Sequence, residues 1–465
     1  MCTVAAAMLR APTRPPLLAR VAASTRAPIV GLILVSLLSL GARSLMLDEP
    51  CQSPCTTANE HTMIFDEAYY VNAARVIAGI HPPQGDHYDS SPLGTDPNAE
   101  HPQGAKLIVA ASIELFGDGP FAWRLGSLIF GSIAILGMFA LVRSAGGGRW
   151  SALGAATLMA CDNLLLVHGR IFTLDIYVVA MMIWGAVFYL QDRPVLAGVV
   201  LAIGFCFKFV GPYALGVLGL LELGRMFLRW RDPDAPPGWT LRKVVPRFAV
   251  TVFTSAGVCV GLLALMGLVA TPYADAEAKL ITGGPFAHIA HMFSYAAQQV
   301  SPDGPQGIAS YPWQWLIDLK PILYLRINPS LPGQEFHAIH PVTAFWGMPS
   351  PVIMALGMPA LLFCVYRFVR RRRPGQSPED QQLALLAVSW FLGTWIPFAL
   401  LSLFDQRTSY LYYMVVVMPG VYLAATYAAA LAWRLGRTWV RTLVGVWALG
   451  VVVAVVLMYP FVAAF

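Results

Sequence analysis

Apolar runs of membrane-spanning length recur along the whole chain, and they constrain its fold more than any other feature. Three of the clearest occupy residues 28–46, 250–270 and 443–463. A helix needs about 20 apolar residues to cross the hydrocarbon core of a bilayer. Charged residues make up only 12% of the chain, against about 25% in soluble domains. The pattern therefore predicts an all-α polytopic membrane protein.

The hydropathy pattern predicts eleven spans. They cover residues 28–46, 122–142, 151–166, 172–190, 195–209, 211–228, 249–270, 350–369, 383–403, 410–432 and 442–463. Lys and Arg concentrate in cytoplasmic loops, so their distribution tests this count. With a cytoplasmic N-terminus, 21 of the 31 basic residues lie inside, whereas 19 of the 25 acidic residues and all nine histidines lie outside. Merging 195–228 into one span would move the basic run 370–373 outside, which favours eleven.

The N-terminal region carries four arginines before an apolar run, as a signal peptide does. The run is about 19 residues long and no small-x-small cleavage site is evident, so we expect a retained first span. This arrangement predicts a multi-pass protein of the plasma (inner) membrane, with a cytoplasmic N-terminus and an external C-terminus. The net charge of +6 is then a signal for the orientation of the chain in the membrane, and it gives no indication of nucleic-acid binding.

Two external segments are long enough to fold, 47–121 and 271–349. We expect both to belong to one transmembrane domain, 1–465, and to contain helices that lie at the membrane interface. No internal repeat is evident, which argues against an inverted-repeat transporter. The spans also lack the several buried charges that an ion pathway needs. The chemistry is therefore expected on the external face.

The stretch "FDEAYY" places Asp66 and Glu67 among aromatic residues just after the first span. Apolar residues at helical spacing follow, which predicts a helix lying flat at the interface. A carboxylate held there can remove a proton from an attacking hydroxyl. The alternative from the residues alone is a solvated acidic pair on an amphipathic helix.

Two further polar groups lie at predicted external ends. His101 and Lys106 precede a short apolar helix, and Arg170 and Asp175 flank the start of the fourth span. Polar residues at span ends are commonly anchors that reach toward the interface. Cys51 and Cys55 lie together in the first external segment, where a disulfide is permitted, and a metal role for them stays open.

These segments together resemble the protein O-mannosyltransferase family, the dolichyl-phosphate-mannose–protein mannosyltransferases of the clan-C glycosyltransferases. The motifs that carry the resemblance are "FDEAYYVNAARVIAGI", "EHPQGAKLIVA", "AWRLGSLIFG", "DNLLLVHGRIFTLD", "FCFKFVG", "SYPWQWLIDLKPILYL" and "RTSYLYYMVVVMPGVYLA". They occur in the family's order over residues 60–425. Segment 271–349 is too short for the soluble insertion of eukaryotic members, which indicates the bacterial branch. Gln103 replaces a proline of the family pattern, and Tyr412 or Tyr413 replaces a histidine.

The resemblance implies a clan-C fold and an inverting transfer of mannose from polyprenyl-phosphate-mannose to Ser or Thr of exported proteins. It assigns Asp66 as the base and Glu67 as a residue that orients Asp66 or the acceptor. The remaining residues expected at the substrate and its phosphate are Arg407, Arg170, Lys208, Lys320, Arg124, His101, Asp175, Trp313 and Trp315. Of these, Arg124 and His101 are expected to organise the site, and the tryptophans could equally be interface anchors.

No cofactor and no metal ligand are expected, although some clan relatives use a divalent cation. His288 and His291, and His337 and His340, have ligand-compatible spacing, but loop histidines at this spacing are usually unrelated polar residues. Two alternative functions stay open. One is transfer of another sugar, of the aminoarabinose or arabinose type, from a polyprenyl phosphate to a lipid or glycan. The other is transport of a lipid-linked sugar.

Overall fold

The computed structural model describes residues 24–231, 239–328, 343–370 and 378–462. Fifteen α-helices occur within these ranges. They are α1 (Ala27–Ser44), α2 (Glu67–Ile77), α3 (Gly104–Phe116), α4 (Pro120–Ser144), α5 (Arg149–Cys161), α6 (Asn163–His168), α7 (Leu174–Leu190), α8 (Pro194–Phe205), α9 (Tyr213–Arg231), α10 (Leu241–Val269), α11 (Gly284–Gln298), α12 (Pro351–Val369), α13 (Pro378–Phe404), α14 (Met414–Arg434) and α15 (Thr438–Leu457).

Seven segments of the described chain are long and apolar enough to cross a bilayer: α1, α4, α10, α12, α13, α14 and α15. Helices α7 and α8 are apolar but shorter. Helix α7 and most of α14 are buried on nearly all sides and form the centre of the bundle. In contrast, α1, α10 and α15 expose most of their apolar side chains, as lipid-facing helices do. The prediction of an all-α polytopic protein is confirmed, and the count of eleven stays a prediction.

The predicted span 151–166 is not one continuous helix. Helix α5 ends at Cys161 and α6 begins at Asn163. Asp162 adopts an extended backbone conformation, and its carboxylate accepts hydrogen bonds from the backbone amides of Leu164 and Leu165. Asp162 is thus the N-cap of α6, a preference that competes with helix continuation and that hydropathy does not register.

Polar contacts join the predicted cytoplasmic turns to one another at one end of the bundle. Arg247, at the start of α10, contacts Glu222 of α9 at 2.6 Å and Asp192 of the α7–α8 turn at 3.4 Å. Gln191 of the same turn donates a hydrogen bond to Ser144, at the end of α4. The two long loop segments lie at the opposite end, so the helix order agrees with an alternating path through a membrane.

Small sheets join the two long loop segments. Strand β1 (Thr95–Asp96) pairs parallel with β2 (Thr271–Ala274), which pairs antiparallel with β3 (Lys279–Leu280). Strands β4 (Ile322–Ile327) and β5 (Thr343–Gly347) form an antiparallel pair. Helices α2 and α3 pack against this layer. Eight of the eleven residues of α2 are buried in protein, so most of the helix packs against other elements, and its position at the membrane interface stays a prediction.

Candidate active site

Asp66 occupies the N-cap position of α2, yet its side chain makes no capping hydrogen bond. An aspartate at this position ordinarily caps the helix, so its carboxylate is directed elsewhere. Phe65, immediately before it, has φ +57°, a left-handed conformation that is unfavourable for a bulky side chain and tends to occur at functional sites. Among the described residues, the Asp66 carboxylate has no hydrogen-bond or ion-pair partner.

Glu67, in contrast, is completely buried and fully bonded. Its carboxylate forms a bidentate ion pair with Arg124, at 2.9 and 2.8 Å, and accepts hydrogen bonds from the backbone amides of Ile64 and Phe172, both at 2.8 Å. Arg124 also donates to backbone carbonyls, including that of Thr62 at 3.3 Å. Glu67 therefore fixes the turn that carries Asp66 and has no surface left for an acceptor peptide.

A second buried ion pair lies near Asp66. Lys208, in the segment after α8, contacts both carboxylate oxygens of Asp175, at 2.7 and 2.8 Å. Asp175 lies in the first turn of α7. The ammonium group also lies 5.2 Å from the ring centre of Tyr412 and 5.4 Å from that of Tyr413, distances typical of cation–π contacts. Lys208 is thus a fixed cation beside an aromatic wall.

The loop with His101 packs closely on the segment that carries Lys208. The amide of Gly104 donates to the carbonyl of Cys206 at 3.0 Å, and a Cβ on Gly104 would lie 2.6 Å from that oxygen. Lys106 pairs with Asp96 at 2.6 Å and donates to the carbonyl of His101 at 3.1 Å. Only glycine allows the close approach of residue 104 to the Cys206 carbonyl. Gly104 therefore sets the distance between the loop that carries His101 and the segment that carries Lys208.

Arg407 approaches the same group from the segment between α13 and α14. Its guanidinium donates to the carbonyl of Ala296, and its backbone amide donates to the carbonyl of Leu401 at 3.1 Å. It is half-buried, and among the described residues no carboxylate pairs with it. Its charge acts on His101 together with those of Lys208 and Lys106, which places three cations around one imidazole.

The electrostatics of Asp66 suit a base. Part of the residue is accessible to solvent, but protein surrounds the carboxyl group. This burial raises the pKa of Asp66 to about 7; Lys208 opposes the rise and Asp175 adds to it. Burial, followed by the charges of Lys208, Lys106 and Arg407, holds the pKa of His101 well below its usual range, so the imidazole is neutral at pH 7.

Tyr324, an aromatic residue that the sequence did not indicate, completes the wall. Phe65 stacks on Tyr324 of β4, with ring centres 4.0 Å apart, and meets Tyr412 edge-on at 5.3 Å. The Tyr324 hydroxyl lies 2.7 Å from Nε2 of His168, whose Nδ1 lies 2.8 Å from the hydroxyl of Thr173. Tyr324 is about 250 residues from Phe65 along the chain, and no local pattern announces such a contact.

The remaining predicted residues lie apart from this cluster. Arg170 donates to the carbonyls of Leu45 and Met46, both at 2.9 Å, and its guanidinium lies over the ring of Phe461 at 4.8 Å. These contacts tie the end of α1 to the C-terminal segment. Lys320 donates to the carbonyl of Ala309 at 2.6 Å. Neither residue contacts the Asp66 group through an interaction among the described residues.

The two predicted tryptophans differ in exposure. Trp315 is completely buried; its indole donates to Ser310 at 2.9 Å and packs edge-on against Tyr413. Trp315 is therefore a core residue, which corrects the expectation that it contacts sugar or peptide. Trp313 is 44% exposed and stacks on Tyr311 at 4.5 Å, so a substrate contact for it stays a prediction.

Within the described part of the chain, one group of three potential metal ligands occurs, namely Cys51, Cys55 and His61. Cys51 and Cys55 form a disulfide, so their sulfurs are not available as thiolates. His288 is buried with Nε2 at 2.9 Å from the carbonyl oxygen of Ala99, and no third potential ligand from the described ranges joins it and His291. His337 and His340 lie outside the described residues.

Comparison with known proteins bears on the family. The family model described as dolichyl-phosphate-mannose-protein mannosyltransferase matches residues 100–227, the region that contains His101, Arg124, Asp175 and Lys208. A polyprenol-phosphate-mannose–protein mannosyltransferase of Corynebacterium glutamicum is 23% identical over 429 residues, 81% of this chain and 79% of that protein. A protein of the same description from Mycobacterium tuberculosis is 24% identical, over 77% of this chain and 74% of its own. The chain is therefore similar in sequence to dolichyl-phosphate-mannose–protein mannosyltransferases.

Solved structures similar to this chain bear on its fold. The Saccharomyces cerevisiae protein O-mannosyltransferase Pmt1-Pmt2 complex, bound to the sugar donor, matches with a TM-score of 0.67 at 11% identity, over 96% of this chain and 92% of that chain. An Archaeoglobus fulgidus oligosaccharyltransferase tethered with an acceptor peptide matches with a TM-score of 0.52 at 13% identity, over 94% and 56% of the two chains. At these identities the likeness establishes a membrane-glycosyltransferase fold, as the sequence predicts.

Proposed function

We propose that this protein transfers mannose from polyprenyl-phosphate-mannose to Ser or Thr hydroxyls of exported proteins, at the outer face of the plasma membrane. The observation that carries the proposal is Asp66: a carboxylate without a partner among the described residues, beside the Lys208–Asp175 pair and an aromatic wall. The names and donor-bound structure of the relatives support mannose as the sugar and protein as the acceptor.

The reaction is a single displacement at the anomeric carbon. The acceptor oxygen forms a bond to that carbon while the bond to the phosphate oxygen breaks, and the bonding electrons leave with the phosphate. Asp66 accepts the hydroxyl proton, because its pKa of about 7 leaves it substantially ionised at neutral pH yet basic enough to hold a proton. One displacement inverts the anomeric configuration and gives an α-mannoside from a β-linked donor.

The leaving phosphate gains negative charge as the bond breaks, and cations must stabilise it. Lys208 and Arg407 are the candidates that the fold brings to His101. The carboxylate of Asp175 orients the Lys208 ammonium group, and Arg407 offers a planar set of donors suited to phosphate. Aromatic rings of Tyr412 and Tyr413 close one side of this space and limit water, which would otherwise compete as the acceptor.

The test is a transfer assay with purified protein in detergent, polyprenyl-phosphate-mannose and a Thr- and Pro-rich peptide. Wild type should form mannosyl-peptide, and Asp66→Asn should reduce the rate by at least about a hundredfold, the usual contribution of a general base. Parallel reactions with a chelator should proceed at the same rate. Glu114→Gln, an exposed carboxylate-to-amide change on α3, is the control and should leave the rate unchanged.

Thermal unfolding separates loss of chemistry from loss of fold. Asp66→Asn should unfold at no lower temperature than wild type, because the amide removes a carboxylate that is costly to bury. An Asp66→Asn protein that transfers mannose at the wild-type rate would remove Asp66 as the base. A folded wild type that instead passes mannose to a lipid or glycan, and never to peptide, would refute protein as the acceptor.

A further inference from the structure

A cavity of about 350 Å³ lies in the first external segment, beside α2 and separate from the Lys208 group. Its volume is within the range of about 300–1,000 Å³ that small-ligand pockets occupy. The lining includes Glu60, His61, Ala68, Asn72, Arg75 and His87. The proposed mannosyl transfer assigns no role to this cavity.

Arg75, one of the lining residues, carries an unsatisfied donor. Arg75 is 1% exposed; its Nε donates to Asp118 at 2.9 Å, one terminal nitrogen donates to Asn72 at 3.1 Å, and the guanidinium lies 4.9 Å from the centre of the Trp123 ring. The other terminal nitrogen, Nη2, is buried and has no hydrogen-bond partner among the described residues. Buried polar groups in native proteins nearly always have partners, so this nitrogen indicates a missing ligand atom.

The charges around the cavity favour a neutral ligand. Asp118 already balances the charge of Arg75, so the free nitrogen is a donor without surplus positive charge. The carboxylate of Glu60 is engaged by the backbone amides of Thr56 and Thr57. A phosphate would need unbalanced cations, whereas a peptide carbonyl oxygen needs only a well-placed donor.

The position of the cavity relates it to Asp66. Ala68, Asn72 and Arg75 lie on one face of α2, whose first residue follows Asp66. Tyr69 is 42% exposed and stacks on His87 of the cavity lining, with ring centres 3.9 Å apart. Around the helix, Tyr69 lies between Asp66 and the face formed by Ala68, Asn72 and Arg75. A chain with its hydroxyl at Asp66 can therefore reach the cavity across the exposed Tyr69 ring.

We propose that this cavity binds the acceptor polypeptide next to the modified Ser or Thr, with Arg75 Nη2 donating to a backbone carbonyl oxygen. The inference rests on the proposed function for the identity of the acceptor. It assigns the acceptor's flanking residues to the Ala68–Asn72–Arg75 face of α2, while donor phosphate is held on the Lys208 side. Peptide affinity and donor chemistry are therefore separable.

The experiment fills the cavity and measures both properties. Ala68→Leu places a larger side chain in the cavity wall, and Asn59→Trp places one at its exposed rim. Each should weaken binding of a fluorescent Thr- and Pro-rich peptide to the detergent-solubilised protein by at least about tenfold, the equivalent of one or two lost hydrogen bonds. Release of mannose from the donor to water, measured without peptide, should stay at the wild-type rate. Ala111→Leu, at an exposed position on α3, should change neither quantity.

Peptide affinity within twofold of wild type in both variants would overturn the inference. If Ala68→Leu also loses mannose release, it has disturbed Asp66, and the result for Asn59→Trp decides. Because peptide binding is measured without transfer, the two proposals fail differently. A wild type that binds peptide through this cavity but never mannosylates it would refute the proposed function alone. If neither cavity-filling variant changes the rate of mannosyl transfer, only the proposal about the cavity is refuted.

Discussion

Asp66 differs from its acidic neighbours in what it contacts. Glu67, Asp118 and Asp175 each pair with an Arg or Lys at 2.7 to 2.9 Å. Asp66 has no such partner among the described residues, and protein surrounds its carboxyl group. Burial without pairing disfavours the ionised form and raises the pKa. The same isolation leaves both carboxylate oxygens without a partner among the described residues, so the electrostatic cost and the proposed catalytic role have one cause.

The raised pKa of Asp66 sets the expected pH dependence. With a pKa of about 7, the carboxyl is ionised above pH 7 and protonated below it, and a protonated base cannot accept a proton. We expect kcat/KM to fall about tenfold for each pH unit below 7 and to level off above it. Initial rates between pH 5 and 8.5 at fixed ionic strength test this. A flat profile over this range would contradict Asp66 as the titrating base.

The Lys208–Asp175 pair allows structural and catalytic effects to be separated. Asp175→Asn leaves a buried ammonium group without its counter-ion, which should cost about 3–5 kcal/mol of unfolding free energy. Lys208→Gln should lower kcat about 10²–10³-fold, the usual effect of losing one donor to a developing anion. In the double variant no charge is left unpaired, so we expect stability to recover and activity to stay low. A double variant with wild-type activity would exclude Lys208 from the phosphate site.

The contact between the α3 and α8 segments is the element-scale feature on which the site depends. Gly104→Ala would place a Cβ 2.6 Å from the Cys206 carbonyl oxygen, so the loops that carry His101 and Lys208 must separate. We expect a loss of about 1–3 kcal/mol, as for other overpacked positions, together with reduced transfer. Thermal unfolding and the peptide assay measure the two effects. Gly257→Ala, on α10 with open space around it, is the control and should be neutral.

The sequence predicts elements better where a property is summed along the chain. Apolar length locates the long helices, because desolvation of a span depends on composition over about 20 residues. It misses the break at Asp162, where one side chain bonds the backbone and redirects the helix. It also does not show how much of α2 packs against protein, because an apolar face meets protein or lipid equally well. Here α3 and the β1 strand cover it.

Site residues follow the same division. Asp66 and Asp175 could be singled out because charge beside an apolar run is costly and needs a reason, whereas Lys208 and Arg407 are expected at the site from the family resemblance. Tyr324 could not be selected, because its place depends on how a distant hairpin returns to Phe65. The sequence does not show that Trp315 lies in the core, because indoles serve equally in cores and at interfaces. Composition identifies improbable charges, whereas aromatic contacts require the tertiary fold.

At the scale of the whole molecule, the two ends of the bundle differ in character. Basic turns gather at one end, and the Asp66 group with both long segments lies at the other. Positive-inside bias predicts that the site lies outside the cytoplasm. We expect Ser90→Cys, in the first long segment, to react with a membrane-impermeant maleimide in intact cells. Thr438→Cys, at the first residue of α15, should react only after permeabilisation.

Labelling of the parent protein gives the background from its native cysteines. The reverse pattern, with Thr438→Cys labelled in intact cells and Ser90→Cys protected, would invert the orientation. The acceptor would then have to be a cytoplasmic protein.

The distribution of ion pairs has a consequence for biosynthesis. All seven ion pairs among the described residues join positions between 67 and 247. A growing chain can therefore neutralise these buried charges before its second half is made. That half contributes Tyr324, Arg407 and the Tyr412–Tyr413 wall. A nascent chain that ends near residue 250 should therefore insert with all seven of these ion pairs formed. The proposed active site is completed only when the last helices have been added.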